Sequence, residues 1–171
     1  MSASILVTYA TRYGSTQEVA EAIAATLRER GITTDLAPMR EVQALDQYSA
    51  VVLGAPLYMF RWHKDALHFL ARHRSALTTR PVAVFALGPF HAEEKEFQEV
   101  QKQLDKVLAK FPWLTPKTIA VSGGAFDPQK LTFPYNLVPG LKKMAASDAR
   151  DWAIIRAWAN ELAALFQPVA F

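Results

Sequence analysis

The sequence predicts an α/β fold in which a parallel sheet is covered by helices on both faces. Three observations carry that prediction. Short apolar runs alternate with amphipathic helical stretches along the whole chain. Two of the runs, 50–53 and 82–87, are apolar at every position, as a strand buried on both faces requires. The 171 residues, 51% hydrophobic and 20% charged, suffice for one domain with a sizeable core.

The elements follow in order. Residues 4–8 read as the first strand. Residues 15–30 read as a helix with Val19, Ile23 and Leu27 at spacing four, stopped by Gly31. The second strand is 32–36 and the third 50–53. Residues 64–74 form a basic amphipathic helix, and 82–87 a fourth strand. Residues 93–110 form a polar helix with Phe97, Val100, Leu104 and Leu108 inward. The fifth strand is 118–121 and the last helix 151–166. Together these make a single domain over 1–171. A long insert at about 126–150 precedes the last helix, longer than such connections usually are. It carries Leu131, Phe133, Tyr135, Leu137, Val138, Leu141 and Met144, and 137–144 could form a short helix. The insert is either a packed cover or a binding element.

Composition removes several function classes. The chain has no cysteine, so disulfides, thiolate metal sites, cysteine nucleophiles and the Cys-x5-Arg phosphatase loop are excluded together. No apolar run is long enough to span a bilayer, and the first residues lack the layout of a secretory signal. A cytoplasmic location is the expectation. The net charge of +3 is too weak to argue for nucleic acid, and it permits contact with an anionic partner or a membrane surface.

The chemistry is read where the strands end, because ligands of an open α/β sheet bind beyond its carboxyl edge. The first such loop is Thr11-Arg12-Tyr13-Gly14-Ser15-Thr16. Hydroxyls and one glycine at a helix N-terminus make an anion site, since free amides and the helix dipole point at it. The lysine of a P-loop is missing, and so is the Gly-x-Gly-x-x-Gly of a dinucleotide fold. One compact phosphate monoester fits, such as that of a flavin mononucleotide. Ser15 with Glu18 also fits a capping box, which would give the hydroxyl a purely structural job.

The later loops are Gly54-Ala55-Pro56-Leu57-Tyr58-Met59-Phe60-Arg61-Trp62, Gly88-Pro89-Phe90 and Ser122-Gly123-Gly124-Ala125. Glycines let a backbone approach a flat ligand, and aromatics offer faces for stacking. Each has a structural alternative: Gly54, Gly88 and Gly123 as turn glycines, Tyr58 and Trp62 as a staple at a helix start.

At these residues the chain resembles flavodoxins. The run 7–16 is similar to their phosphate signature, with Thr8 standing where an apolar residue is usual. Gly54 to Met59 with Trp62-His63-Lys64-Asp65, then Gly123-Gly124-Ala125, then Arg150-Asp151-Trp152 with Ile155 to Ala159, resemble the branch containing menaquinone-dependent protoporphyrinogen oxidases. The resemblance covers nearly the whole chain. It implies a flavodoxin-like three-layer sandwich, a five-stranded parallel sheet of order 2-1-3-4-5 with helices on both faces. It implies FMN as cofactor. Thr11, Arg12, Tyr13, Gly14, Ser15 and Thr16 would hold its phosphate. Pro56, Leu57, Tyr58 and Met59 would line one side of the isoalloxazine, and Leu87, Gly88, Pro89 and Phe90 its other edge, with Gly123 and Gly124 nearby.

The resemblance leads to an FMN-dependent oxidoreductase acting on a porphyrinogen or quinone, with peripheral membrane contact as an option. The alternatives are a one-electron carrier flavodoxin and a non-redox binding module on the same fold. One-electron flavodoxins resemble one another in a glycine loop whose peptide flips beside the reduced flavin. Residues 55–63 hold no glycine, and a flip to positive φ would cost of order 1 kcal/mol or more at any other residue. Two-electron chemistry is therefore the expectation. No metal site is expected, because His63, His68 and His73 are five apart and scatter around a helix. His63 lies nearest the expected flavin site, as either a proton donor or a surface residue.

Overall fold

The computed structural model describes residues 4–11, 13–58, 61–88, 93–126 and 147–166, the isolated positions 129, 137, 140 and 143, and, of Tyr58, Phe126 and Ser147, the backbone only. Its centre is a sheet of five parallel strands: β1 (Ser4–Tyr9), β2 (Thr33–Pro38), β3 (Tyr48–Tyr58), β5 (Val82–Leu87) and β6 (Thr118–Ser122). Their order is β2-β1-β3-β5-β6, which is 2-1-3-4-5 when the parallel strands alone are counted. A two-residue strand, β4 (Arg61–Trp62), pairs antiparallel with the end of β3.

Strand alternation sorts the core into two halves. Ile5, Val7 and Tyr9 face α1 (Ser15–Glu29) and α5 (Trp152–Phe166), with Val19, Ile23, Leu27 and Leu162. Leu6 and Ala10 face the other layer, made by α2 (Lys64–Arg72), α3 (Arg74–Thr78) and α4 (Glu94–Leu108), with Phe69, Leu77 and Leu104. Gly31 ends α1 at φ +80°, its amide bonded to the Arg28 carbonyl and that of Ile32 to the Leu27 carbonyl. Only glycine takes that left-handed position at no steric cost.

Three elements differ from the sequence reading. β3 runs for eleven residues rather than four, because pairing continues past the apolar stretch: Ala55 and Pro56 pair with Ala86 and Leu87, then Leu57 with Trp62. Tyr58 and Trp62 therefore belong to a strand pair and not to a helix staple. The helix expected at 64–74 breaks at His73, whose φ of −106° ends α2 and precedes α3. The long connection before α5 opens and closes on a two-stranded stem, β7 (Ala125–Phe126) against β8 (Ser147–Asp148). The short helix expected at 137–144 lies outside the described residues except at isolated positions. So do the apolar residues named within the insert, apart from Leu137, which is exposed.

Candidate functional site

β1 and β3 are neighbours whose following helices lie on opposite faces of the sheet, so the switch point falls between them. Register fixes what meets there. Tyr9 pairs with Gly54, Gly54 with Phe85, Pro56 with Leu87, and Leu87 with Ser122. Two backbone bonds extend the ladder, from Ala10 to the Gly54 carbonyl at 3.0 Å and from Gly88 to the Ser122 carbonyl at 3.1 Å. The loops that begin at Thr11, Gly88 and Gly123 thus leave one edge side by side with the end of β3.

The first loop is shaped by Gly14. It caps α1 at φ +92°, a conformation costly for any other residue, and no side chain caps the helix. The capping box read from Ser15 and Glu18 does not form: Ser15 is the first helical residue, and the Glu18 carboxylate is bound elsewhere, by Arg150. The Thr11 hydroxyl accepts the Gly14 amide at 2.9 Å. The first helical bond runs from the Glu18 amide to the Gly14 carbonyl at 3.1 Å, so the amides of Ser15, Thr16 and Gln17 stand outside the helical ladder. Beside them the Thr16 side chain is 0% exposed, and its hydroxyl oxygen has no hydrogen-bond partner. A buried hydroxyl left unpaired costs about 1–3 kcal/mol, a cost that an oxyanion accepting from it removes. Tyr13 is part-buried in the same turn, and Arg12 lies outside the described residues.

The residues expected beside a flat ring divide. Pro56 is buried at the end of the β3–β5 ladder. Leu57 is 7% exposed and belongs to the α2–α4 core, so its backbone rather than its side chain is on offer to a ligand. Tyr58 is placed by its backbone pairing with Arg61. Leu87 is fully buried in the α1–α5 core. Met59, Pro89 and Phe90 lie outside the described residues. The glycines have packing reasons of their own. A Cβ at Gly88 would fall 2.3 Å from Val100 Cγ1, and one at Gly123 2.0 Å from the Ala149 carbonyl oxygen. Gly124 accepts the Ala149 amide at 2.9 Å.

Two features around the site escaped the sequence reading. The Trp62 indole donates to the Ala55 carbonyl at 3.0 Å inside the core, pinning β4 to β3. The signal was the odd aromatic spacing after Gly54, read as a helix staple. The second is the contact of Arg150, singled out in sequence only within the resembled Arg150-Asp151-Trp152 run, with Ser15 and Glu18 in the first turn of α1; its signal was Glu18, an acid with no basic partner nearby in sequence. His63 is a cap: its Nδ1 accepts the Asp65 amide at 3.0 Å, so the proton of the neutral ring sits on Nε2. A polar cleft of about 350 Å³ opens beside Thr11, with Gln17, Arg40 and Asp65 in its walls. A smaller apolar one of about 70 Å³ lies under Gly123 and Ala149, against Trp158.

A parallel sheet of this order, with an anion-ready helix start at its switch point, defines a flavodoxin-like α/β domain. The family model described as Flavodoxin domain matches residues 6–145, and the chain belongs to that family. It is 25% identical over 171 residues to a protein of Escherichia coli (strain K12) named protoporphyrinogen IX dehydrogenase (quinone), the match covering 94% of each. A Leishmania major protein of the same name is 24% identical over 177 residues, covering 96% of this chain and 76% of that protein. Among solved structures, oxidised Flavodoxin 1 from Bacillus cereus superposes with a TM-score of 0.58 at 19% identity, over 93% of this chain and 96% of that one.

Proposed function

We propose that this chain binds FMN through the turn at 11–16 and acts as an oxidoreductase on a porphyrinogen-type donor with a quinone acceptor. The observation that carries the cofactor is Thr16. Its hydroxyl is buried and unpartnered beside the free amides of Ser15–Gln17, which is the cradle a phosphate monoester completes. FMN, when bound, supplies the redox chemistry, taking hydrogen equivalents from a donor and passing two electrons and two protons to a quinone, which becomes a quinol. The chain's residues bind and orient. Gly14 and the α1 amides hold the phosphate, while the ends of β3 and β5 and the Gly123–Gly124 turn offer backbone to the flat ring. The substrate class rests on the names of the relatives from Escherichia coli and Leishmania major.

Against the one-electron carrier stands the 57–62 arm. Leu57 and Tyr58 pair with Trp62 and Arg61, and Trp62 is bonded to Ala55, so both ends of the arm are fixed. The test is retention of FMN after desalting, read by visible absorption, in wild type and in Thr16→Val. The expected result is an oxidised-flavin spectrum in wild type, strongly reduced in the variant, with the apoprotein of the variant at least as stable to urea. Equal FMN affinity in the two proteins overturns the phosphate assignment. No retention by wild type leaves the non-redox binding module.

A further inference from the structure

Arg150 stands two residues past β8, with its side chain 9% exposed. Its Nε and Nη2 donate to Asp148 Oδ1 and Oδ2 at 2.9 and 2.7 Å. Its Nη1 donates to Glu18 Oε2 at 3.0 Å and to the Ser15 carbonyl at 3.4 Å. The guanidinium lies 4.9 Å from the centre of the Trp152 ring. Asp148 belongs to the β7–β8 stem, paired with Ala125. The foot of that stem is tight as well, since the Ala149 amide is bonded to the Gly124 carbonyl and Gly123 leaves no room for a Cβ against Ala149. One side chain thus fastens the stem flanking 127–146 to the first turn of α1, the turn that carries Thr16.

We propose that Arg150 is a positioning residue that couples occupancy of the anion site at the start of α1 to the seating of the β7–β8 stem. The inference rests on the phosphate reading above. The charges supply its mechanism. Glu18 and Asp148 bring two negative charges beside a site that takes an anion, and Arg150 offsets one while hydrogen-bonding both. Removing the guanidinium leaves Glu18 uncompensated within the same helical turn as the bound anion. Conversely, an anion that orders Ser15 and Thr16 orders the carbonyl and carboxylate that Arg150 grips. The linkage is reciprocal, so a seated stem also tightens the anion site.

The test is amide hydrogen exchange at Ala149 and Arg150 in the full chain, with FMN, with riboflavin (which lacks the phosphate), with inorganic phosphate, and with none. In wild type, FMN and phosphate are expected to slow exchange at both amides, and riboflavin to leave it unchanged. In Arg150→Gln, FMN binding is expected to weaken about tenfold, a usual size for coupling between linked sites, and the ligand-induced slowing to vanish. Glu18→Gln, which leaves the Asp148–Arg150 pair intact, serves should the arginine variant not fold. It is expected to keep the stem's basal protection and to reduce the ligand-induced part. Ligand-induced slowing that survives undiminished in a folded variant overturns the coupling, as does its absence in wild type with phosphate bound. Phosphate-induced slowing in a wild type that does not retain FMN upholds the coupling and overturns the flavin reading alone.

Discussion

The ring of Phe85 occupies the space that a side chain at Gly54 would need: a Cβ there would fall 2.0 Å from Phe85 Cζ. The two residues pair across β3 and β5. The ring cannot step aside cheaply, being fully buried and in edge contact with Trp158 at 6.1 Å. Gly54→Ala is therefore expected to destabilise by about 1–3 kcal/mol, the usual range for an overpacked core. Urea denaturation measures it, and an unchanged midpoint would mean that the ring has somewhere else to go.

That relationship also marks where sequence reading stops. Gly54, Gly88 and Gly123 follow successive strands, and from sequence they suit a turn or a flat ligand equally. What they share is close contact with Phe85, Val100 and Ala149, partners that only the folded chain brings near. The strand–helix alternation was legible because burial on both faces demands unbroken apolar runs. The end of α1 was legible because a left-handed cap demands Gly31. The eleven-residue β3 was not, since Pro56 and a two-residue partner strand read locally as loop. The grip of Arg150 on Glu18 spans 132 residues and has no local signature.

Thr8 offers a stabilising substitution. It is fully buried in β1 between Ala37 and Leu53, and its hydroxyl has no partner. Valine keeps the shape and removes the unpaired group, so Thr8→Val is expected to stabilise by about 1 kcal/mol or more. It also restores the apolar residue that the resembled signature carries at this position. A thermal melt checks it, and a lower midpoint would show that the hydroxyl has a partner in solution.

His73 makes stability depend on pH. The residue is 7% exposed at the break between α2 and α3, its ring 4.6 Å from that of Phe69, and its Nε2 is buried with no partner. Burial pulls its pKa below the ordinary 6.5, with Arg72 adding to the effect and a hydrogen bond to the Val42 backbone opposing it. The unfolded chain therefore binds the proton more readily than the folded one. The contribution is fully present above about 6.5 and is lost as pH falls through that value toward the lower folded pKa. His73→Phe is expected to flatten the urea midpoint between pH 7 and 5 relative to wild type. Equal slopes in the two proteins would place the pH dependence elsewhere.

Trp62 anchors the 57–62 arm independently of the anion site. Its indole fills the α2–α4 core and donates to the carbonyl of Ala55, itself completely buried. Phenylalanine would keep most of the apolar contact and leave that carbonyl without its indole donor, at a cost of about 1–3 kcal/mol. The loss falls on the β3–β4 pairing of Leu57 and Tyr58, whereas Thr11, Gly14 and Thr16 are held by β1 and α1. Trp62→Phe is thus expected to lower the urea midpoint while inorganic phosphate still protects the amides of the first turn of α1 from exchange. Loss of both together would show that the arm and the turn form one cooperative unit.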